Sequence, residues 1–155
     1  MAENDAEPEG TIGPVLFAYD GSELAAFAIA QAGRQLGGNR QALVVCVWQP
    51  ADVGFSPITP RHFDADQAGE VRAAAVETAD HGVSLAELAG FRAQRVVIQA
   101  APTWKGIVET ADDQEAGLIV IGSHRHGGIW GHMVGSVAAA VIAHAHCPVL
   151  VVRHS

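Results

Sequence analysis

Gly122, Gly127, Gly128, Gly131 and Gly135 are strung through the stretch GSHRHGGIWGHMVGS, between the apolar run Leu118 to Ile121 and a helical pattern that opens at Ser136. Glycine lets backbone N–H groups come close to a ligand, and the unpaired N–H groups and dipole of a first helical turn attract an anion. The chemistry that suits this arrangement is phosphate binding. The stretch has neither the Lys-Ser/Thr ending of a P-loop nor a G-x-G-x-x-G, so a plain surface loop is the competing reading of the same residues. The other group with chemistry to offer is the carboxylate of Asp20, in Asp20-Gly21-Ser22 directly after the first apolar run. Its competing role is structural, because an Asp at a helix start with Glu23 three residues on is close to a capping box.

The elements that must position these residues follow from periodicity. Pro14 to Tyr19 predicts a buried strand, and a helix from Ser22 turns Leu24, Phe27, Ala28, Ala32 and Leu36 inward until Gly37-Gly38 stops it. Ala42 to Trp48 predicts a second strand, followed by the irregular, proline-punctuated QPADVGFSPITPRHF, in which Phe55 and PITP are placed to fold over a ligand. From Asp64 to about Ala89 the pattern is helical, with a kink or a break into two pieces expected at Gly82. Gln94 to Ala100 is the third strand, and Pro102 opens a helix with Trp104, Ile107, Val108 and Ala111 on one face. Leu118 to Ile121 is the fourth strand, ended by Gly122. The last helix sets Val134, Val137, Ala138, Val141, Ile142 and Ala145 toward the sheet, and Val149 to Val152 is the fifth strand.

Strands alternating with helices in this way predict an α/β fold, a doubly wound, Rossmann-like five-stranded parallel sheet with helices on both faces. Ligands of such sheets sit beyond the carboxyl ends of the strands, where strand order reverses. Asp20, the segment after Val47 and the residues from Gly122 onward should therefore meet at one crevice.

Composition narrows the partners. The chain has 155 residues, 49% hydrophobic and 17% charged, which is one domain's worth of core and excludes general disorder. Residues 1–13, with Glu3, Asp5, Glu7 and Glu9, read as an acidic disordered tail and not as a signal peptide, leaving 14–155 as a single domain. A formal net charge of −8 with nine Lys and Arg argues against nucleic acid and against an anionic membrane surface. No apolar run reaches the length of a membrane span. Cys46 and Cys147, the two cysteines, make no disulfide framework and suit a reducing cytoplasm as small apolar side chains.

The first strand with Asp20-Gly21-Ser22, the LVVCV strand, the LIVIGSH run, the Gly135-Ser136-Val137 helix start and the HAHCPVLVV ending together resemble the universal stress protein family, over nearly all of Pro14 to Arg153. The resemblance implies the family's adenine nucleotide alpha hydrolase-like fold. It also implies ATP, with or without Mg²⁺, as a regulatory ligand in stress or dormancy, and a homodimer through the C-terminal strand. ATP-binding members carry a glycine motif onto which Gly122, Gly135 and Ser136 fall, while its middle glycine is Arg125 here. A side chain at that position blocks the phosphate, pairs with it bidentately through the guanidinium, or is merely solvated, and all three readings stand. The same resemblance sets Asp20 on the ribose or adenine, Val47 on the adenine edge through its backbone, Ala18 beside them, and Val137 with Gly135 and Ser136 at the phosphates. Gly117 departs from an aspartate that the family often carries there.

Two further functions compete with ATP regulation. A nucleotide-free, dimeric interaction protein of the same family fits Arg125 and the acidic balance equally well. A slow ATP hydrolase is the least supported, since no general base or P-loop lysine can be named. Among eight histidines, His124 and His126 flank Arg125, and His144 and His146 lie beside Cys147 at a helix C-terminus. Neither group has the spacing of a structural zinc site, so no metal is assigned. Ser123 is not in a G-x-S-x-G elbow, and no catalytic residue is assigned.

Overall fold

A computed structural model describes residues 12–49, 65–123 and 134–154. The tail up to residue 11, the segment after Gln49 with Phe55 and PITP, and the loop that holds Arg125, His124 and His126 lie outside the described residues. Among the described residues five strands, β1 (Val15–Ala18), β2 (Gln41–Trp48), β3 (Arg92–Gln99), β4 (Leu118–Ser123) and β5 (Val149–Arg153), alternate with four helices, α1 (Glu23–Leu36), α2 (Ala65–Leu88), α3 (Thr103–Asp113) and α4 (Ser136–His144). The sheet order is β3-β2-β1-β4-β5, every pairing parallel. This is the doubly wound sheet that the strand and helix alternation predicts.

Why these runs become central strands is plain from their burial. Val15, Leu16, Phe17, Val44, Val45, Ile119 and Val120 are all shut from solvent, as residues covered on both faces must be. Odd-numbered β1 residues, with Val44 and Val120, pack under α1 and α2, where the Phe17 ring meets Phe91 edge-on at 5.1 Å. Leu16, Val45, Ile119 and Ile121 pack under α3 and α4. The chain winds β1, β2, β3 toward one edge, then returns to β4 on the other side of β1. The reversal therefore falls between β1 and β4. Among the described residues no helix is long and apolar enough to cross a membrane.

Four expectations are corrected. α2 is one uninterrupted helix through Gly82, 24 residues long. Gly82 is there for space: a Cβ would sit 2.6 Å from Tyr19 Cδ1 and 2.7 Å from Val44 Cγ1. β4 does not end before Gly122 but runs on to Ser123, with Gly122 paired to Val152 and Ser123 to Arg153. In α1, Ala25 and Ile29 are fully buried, whereas Phe27 and Leu36 only flank the core. On α4 only Ala138 and Val141 are buried, while Val137 and Ile142 are 37% and 49% exposed. A helix apolar almost all round carries no pattern that selects its inner face.

Cys46 lies in a cluster with Trp48, Ala75 and Ala79. Burial, and secondarily the charge of Asp20, push its thiol up from the ordinary 9.0. Burial likewise pushes Cys147 up, with Asp112 adding to the effect against two backbone hydrogen bonds that lower it. A raised folded pKa means that the unfolded chain ionises first. Stability from these thiols is complete below the ordinary thiol range and is lost as pH rises through the folded values. The melting temperature by circular dichroism should hold from neutrality to about pH 8.5 and fall above it. That fall should be shallower in Cys46→Ala; equal slopes for the two proteins would contradict the assignment.

Candidate functional site

At the carboxyl ends of β1 and β4 the sheet opens into a cleft of about 270 Å³. Its floor is apolar, made by Ala18, Val45, Val47, Ile107 and Ile121. Three kinds of polar group converge above that floor.

The first is a bare strand edge. Tyr19 N–H donates to Val45 O at 3.0 Å, the last rung between β1 and β2. Alternation turns the N–H and C=O of Val47 to the same side as those of Val45. The chain after Tyr19 turns away into α1, and among the described residues nothing on the β1 side bonds to the peptide of Val47, which lines the cleft. On the other side of β2, Gln49 Nε2 donates to Thr103 Oγ1 at 2.9 Å, tying the end of β2 to the start of α3 at the cleft wall.

The second is the Asp20 carboxylate. Its Oδ1 accepts from Ser22 N–H at 2.9 Å in an Asx-type turn, which fixes the side chain at the mouth of the cleft. The helix cap is a different residue: Ser22 Oγ accepts from Ala25 N–H at 3.1 Å, and Ser22 is the N-cap of α1. The capping-box alternative for Asp20 is thereby corrected. The second oxygen of Asp20 has no partner among the described residues, and Asp20 is the one charged side chain among the described residues that line the cleft.

The third is the start of α4. Gly135 is its N-cap and no side chain caps it; Ala139 N–H makes the first helical rung, to Gly135 O at 2.8 Å. The N–H groups of Ser136, Val137 and Ala138 precede that rung and have no intrahelical acceptor. They stand at the cleft with the dipole of α4 behind them. Gly135 N–H is occupied, donating to Ser123 Oγ at 2.9 Å.

The universal stress protein family model matches residues 11–153 of the chain. The chain belongs to the universal stress protein family. A universal stress protein of Thermus aquaticus is 34% identical over 146 residues, covering 90% of this chain and 97% of its own length. One of Mycobacterium tuberculosis is 32% identical over 156 residues, 96% of this chain but 48% of that protein, so the chain spans about half the length of this relative. Among solved structures, a universal stress protein from Archaeoglobus fulgidus matches with a TM-score of 0.62 at 26% identity, covering 90% of this chain and 97% of that one. A structure of a universal stress protein from that organism in complex with dAMP matches at 26% identity with a TM-score of 0.55, covering 90% and 96%.

In this universal stress protein the cleft gathers Ala18, Asp20, Val47, Gly122, Gly135, Ser136 and Val137 from four separate stretches of the chain. Arg125 lies outside the described residues. Gly122 has a reason of its own to be glycine, because a Cβ there would meet Leu24 Cγ at 2.8 Å and Leu24 O at 3.2 Å. Gly117 likewise packs on backbone, a Cβ lying 3.0 Å from Gly13 O, which leaves no room for an aspartate unless that contact opens. His144 and His146 point elsewhere. His144 stacks on Trp104 at 4.2 Å and 13°, and His146 Nδ1 meets Asp112 Oδ2 at 3.0 Å. Among the described residues no group of three His, Cys, Asp or Glu side chains is placed to hold a metal.

Ser22, Thr103 and Ser123 line the cleft and were not assigned to it from the sequence. Ser22 and Thr103 had a readable signal, a hydroxyl at a helix start. Ser123 had a weaker one, a polar residue where the apolar row of β4 should continue.

Proposed function

We propose that this universal stress protein binds an adenine nucleotide in the cleft between β1 and β4, as a regulatory ligand whose occupancy reports on stress or dormancy in the cytoplasm. The observation that carries the reading is the convergence in one apolar cleft of a peptide edge at Val47, a carboxylate at Asp20 and the first-turn N–H groups of α4, none of them fully partnered among the described residues. A peptide edge hydrogen-bonds the adenine rim, Asp20 accepts from ribose hydroxyls, and Ser136 and Val137 N–H meet the phosphates. Gly122 and Gly135 keep the two walls of the phosphate end lean. The dAMP held by an Archaeoglobus relative belongs to the same class of ligand.

ATP is the form proposed. No Lys or Arg is among the described residues of the cleft, so in this proposal the triphosphate charge is met by the α4 dipole and by the Arg125 guanidinium. Asp20 is the one carboxylate there, so the donor set fits Mg²⁺ only as a companion of the phosphates, which supply most of its oxygen ligands and leave the rest to water. Among the described residues none is placed as a general base, and turnover is not part of the proposal.

Calorimetric titration of ATP with Mg²⁺ tests this directly, using wild type, Asp20→Ala and Arg125→Gly. Wild type should bind with micromolar affinity and Asp20→Ala about tenfold or more weakly, the scale of a charge-assisted hydrogen bond. Weaker binding by Arg125→Gly identifies the guanidinium as a phosphate partner, and tighter binding identifies it as an obstruction. No binding by wild type would retire the nucleotide reading. In its place would stand a nucleotide-free dimeric interaction protein, a reading favoured by the exposed Ile142 on α4, a helix that packs against the edge strand β5. In either case the C-terminal strand is the proposed seam of a homodimer.

A further inference from the structure

Ser123 is out of place by every local rule. It follows Ile119 and Ile121 on β4, and a period of two sets its side chain in their row, against the α3 and α4 core. It is 2% exposed. A buried hydroxyl is costly unless it is hydrogen-bonded, and an apolar residue would extend the row without that cost.

What the hydroxyl does is join two ends of a loop. Its Oγ accepts the N–H of Gly135, 12 positions on, and so fastens the end of β4 to the N-cap of α4. The contrast with α1 is informative. There the N-cap side chain, Ser22, takes the Ala25 N–H and so uses up a first-turn donor. In α4 the stabilising hydroxyl comes from another element and takes the cap residue's own N–H. The first-turn donors Ser136, Val137 and Ala138, which line the cleft, have no acceptor among the described residues. The hydroxyl proton is also left over, since no described residue accepts it.

We infer that Ser123 is a positioning residue for the phosphate end of the site: it holds the first turn of α4 in place and turns its own proton toward a phosphate oxygen. This rests on the nucleotide reading above and assigns one residue to discrimination between phosphorylated and unphosphorylated ligands. A nucleoside without phosphate makes no use of the α4 donors, so Ser123 should matter to AMP and not to adenosine.

The test measures AMP and adenosine affinities by calorimetry for wild type, Ser123→Ala and Ser123→Thr, and amide exchange at Gly135 by NMR in the free proteins. Ser123→Ala should bind AMP about tenfold more weakly and adenosine within about twofold of wild type. Ser123→Thr, which keeps the hydroxyl, should keep the wild-type preference for AMP. Gly135 should exchange faster in Ser123→Ala. Equal losses of AMP and adenosine, an unchanged AMP affinity in Ser123→Ala, or loss of the preference in Ser123→Thr would each overturn the inference while the nucleotide reading stood. If wild type binds neither ligand, the nucleotide reading falls and the phosphate role with it. Gly135 exchange then decides the tether alone, and an unchanged rate in Ser123→Ala would remove that too.

Discussion

Gly82→Val should destabilise the protein by about 3 kcal/mol and lower its melting temperature by roughly 10 °C. Two effects oppose each other at this position. Glycine inside a helix costs about 1 kcal/mol relative to alanine, so replacing it ought to help α2. Against that, the new Cβ would lie 2.6 Å and 3.0 Å from two carbons of the Tyr19 ring and 2.7 Å from Val44 Cγ1. Neither neighbour can give way easily. Val44 is fully buried in the sheet, and the Tyr19 ring, 3% exposed, is held at its far end by a 2.7 Å hydrogen bond between its hydroxyl and His81 Nδ1. Overpacking should therefore win, and Gly82→Ala should lose stability as well, by a smaller amount. Thermal melts of the three proteins decide it; a higher melting temperature for Gly82→Ala would show that α2 has slack against the sheet.

The same residue shows why part of this fold was readable and part was not. Unbroken runs such as VLF, LVV and LIVI have one physical solution in a chain of this composition, a strand covered on both faces, and β1, β2 and β4 follow. Gly82 was read by its local effect, helix weakening, whereas its cause lies in Tyr19 and Val44, which are distant in sequence. α4 failed for the opposite reason. SVAAAVIAH is apolar in nearly every direction, so spacing alone cannot say that Val137 and Ile142 face outward. At the site, Asp20 and the α4 start were legible because a βα unit must turn there. Ser22 takes the cap in place of Asp20 because the helix begins two residues later than a box on Asp20 and Glu23 requires. The role of the Val47 edge depends on β1 ending first, a fact of register and not of residue type.

Gly122 carries the second large effect. Read from the sequence, it is a glycine for close approach to phosphate. The structure adds a different demand, since a Cβ at this position would be 2.8 Å from Leu24 Cγ and 3.2 Å from the Leu24 carbonyl oxygen. The side chain of Leu24 can shift, but its carbonyl belongs to the first turn of α1 and moves only with that helix. Gly135 makes a useful contrast, because a Cβ there meets nothing closer than Ser123 Oγ at 3.7 Å, an ordinary contact. Gly122→Val is thus expected to cost about 3 kcal/mol in the absence of any nucleotide. Gly122→Ala should cost less, and part of that cost should vanish in a Leu24→Ala background, giving a nonzero coupling in a double-mutant cycle. Because α1 begins at the Ser22 cap, with the Asp20 turn just ahead of it, pushing on Leu24 also displaces the carboxylate proposed to hold the ribose. Loss of affinity in Gly122→Ala would then include adenosine as well as AMP, unlike the loss in Ser123→Ala. If Gly122 served phosphate approach alone, nucleotide-free melting would be unchanged, the coupling with Leu24 would be zero, and only phosphorylated ligands would lose affinity.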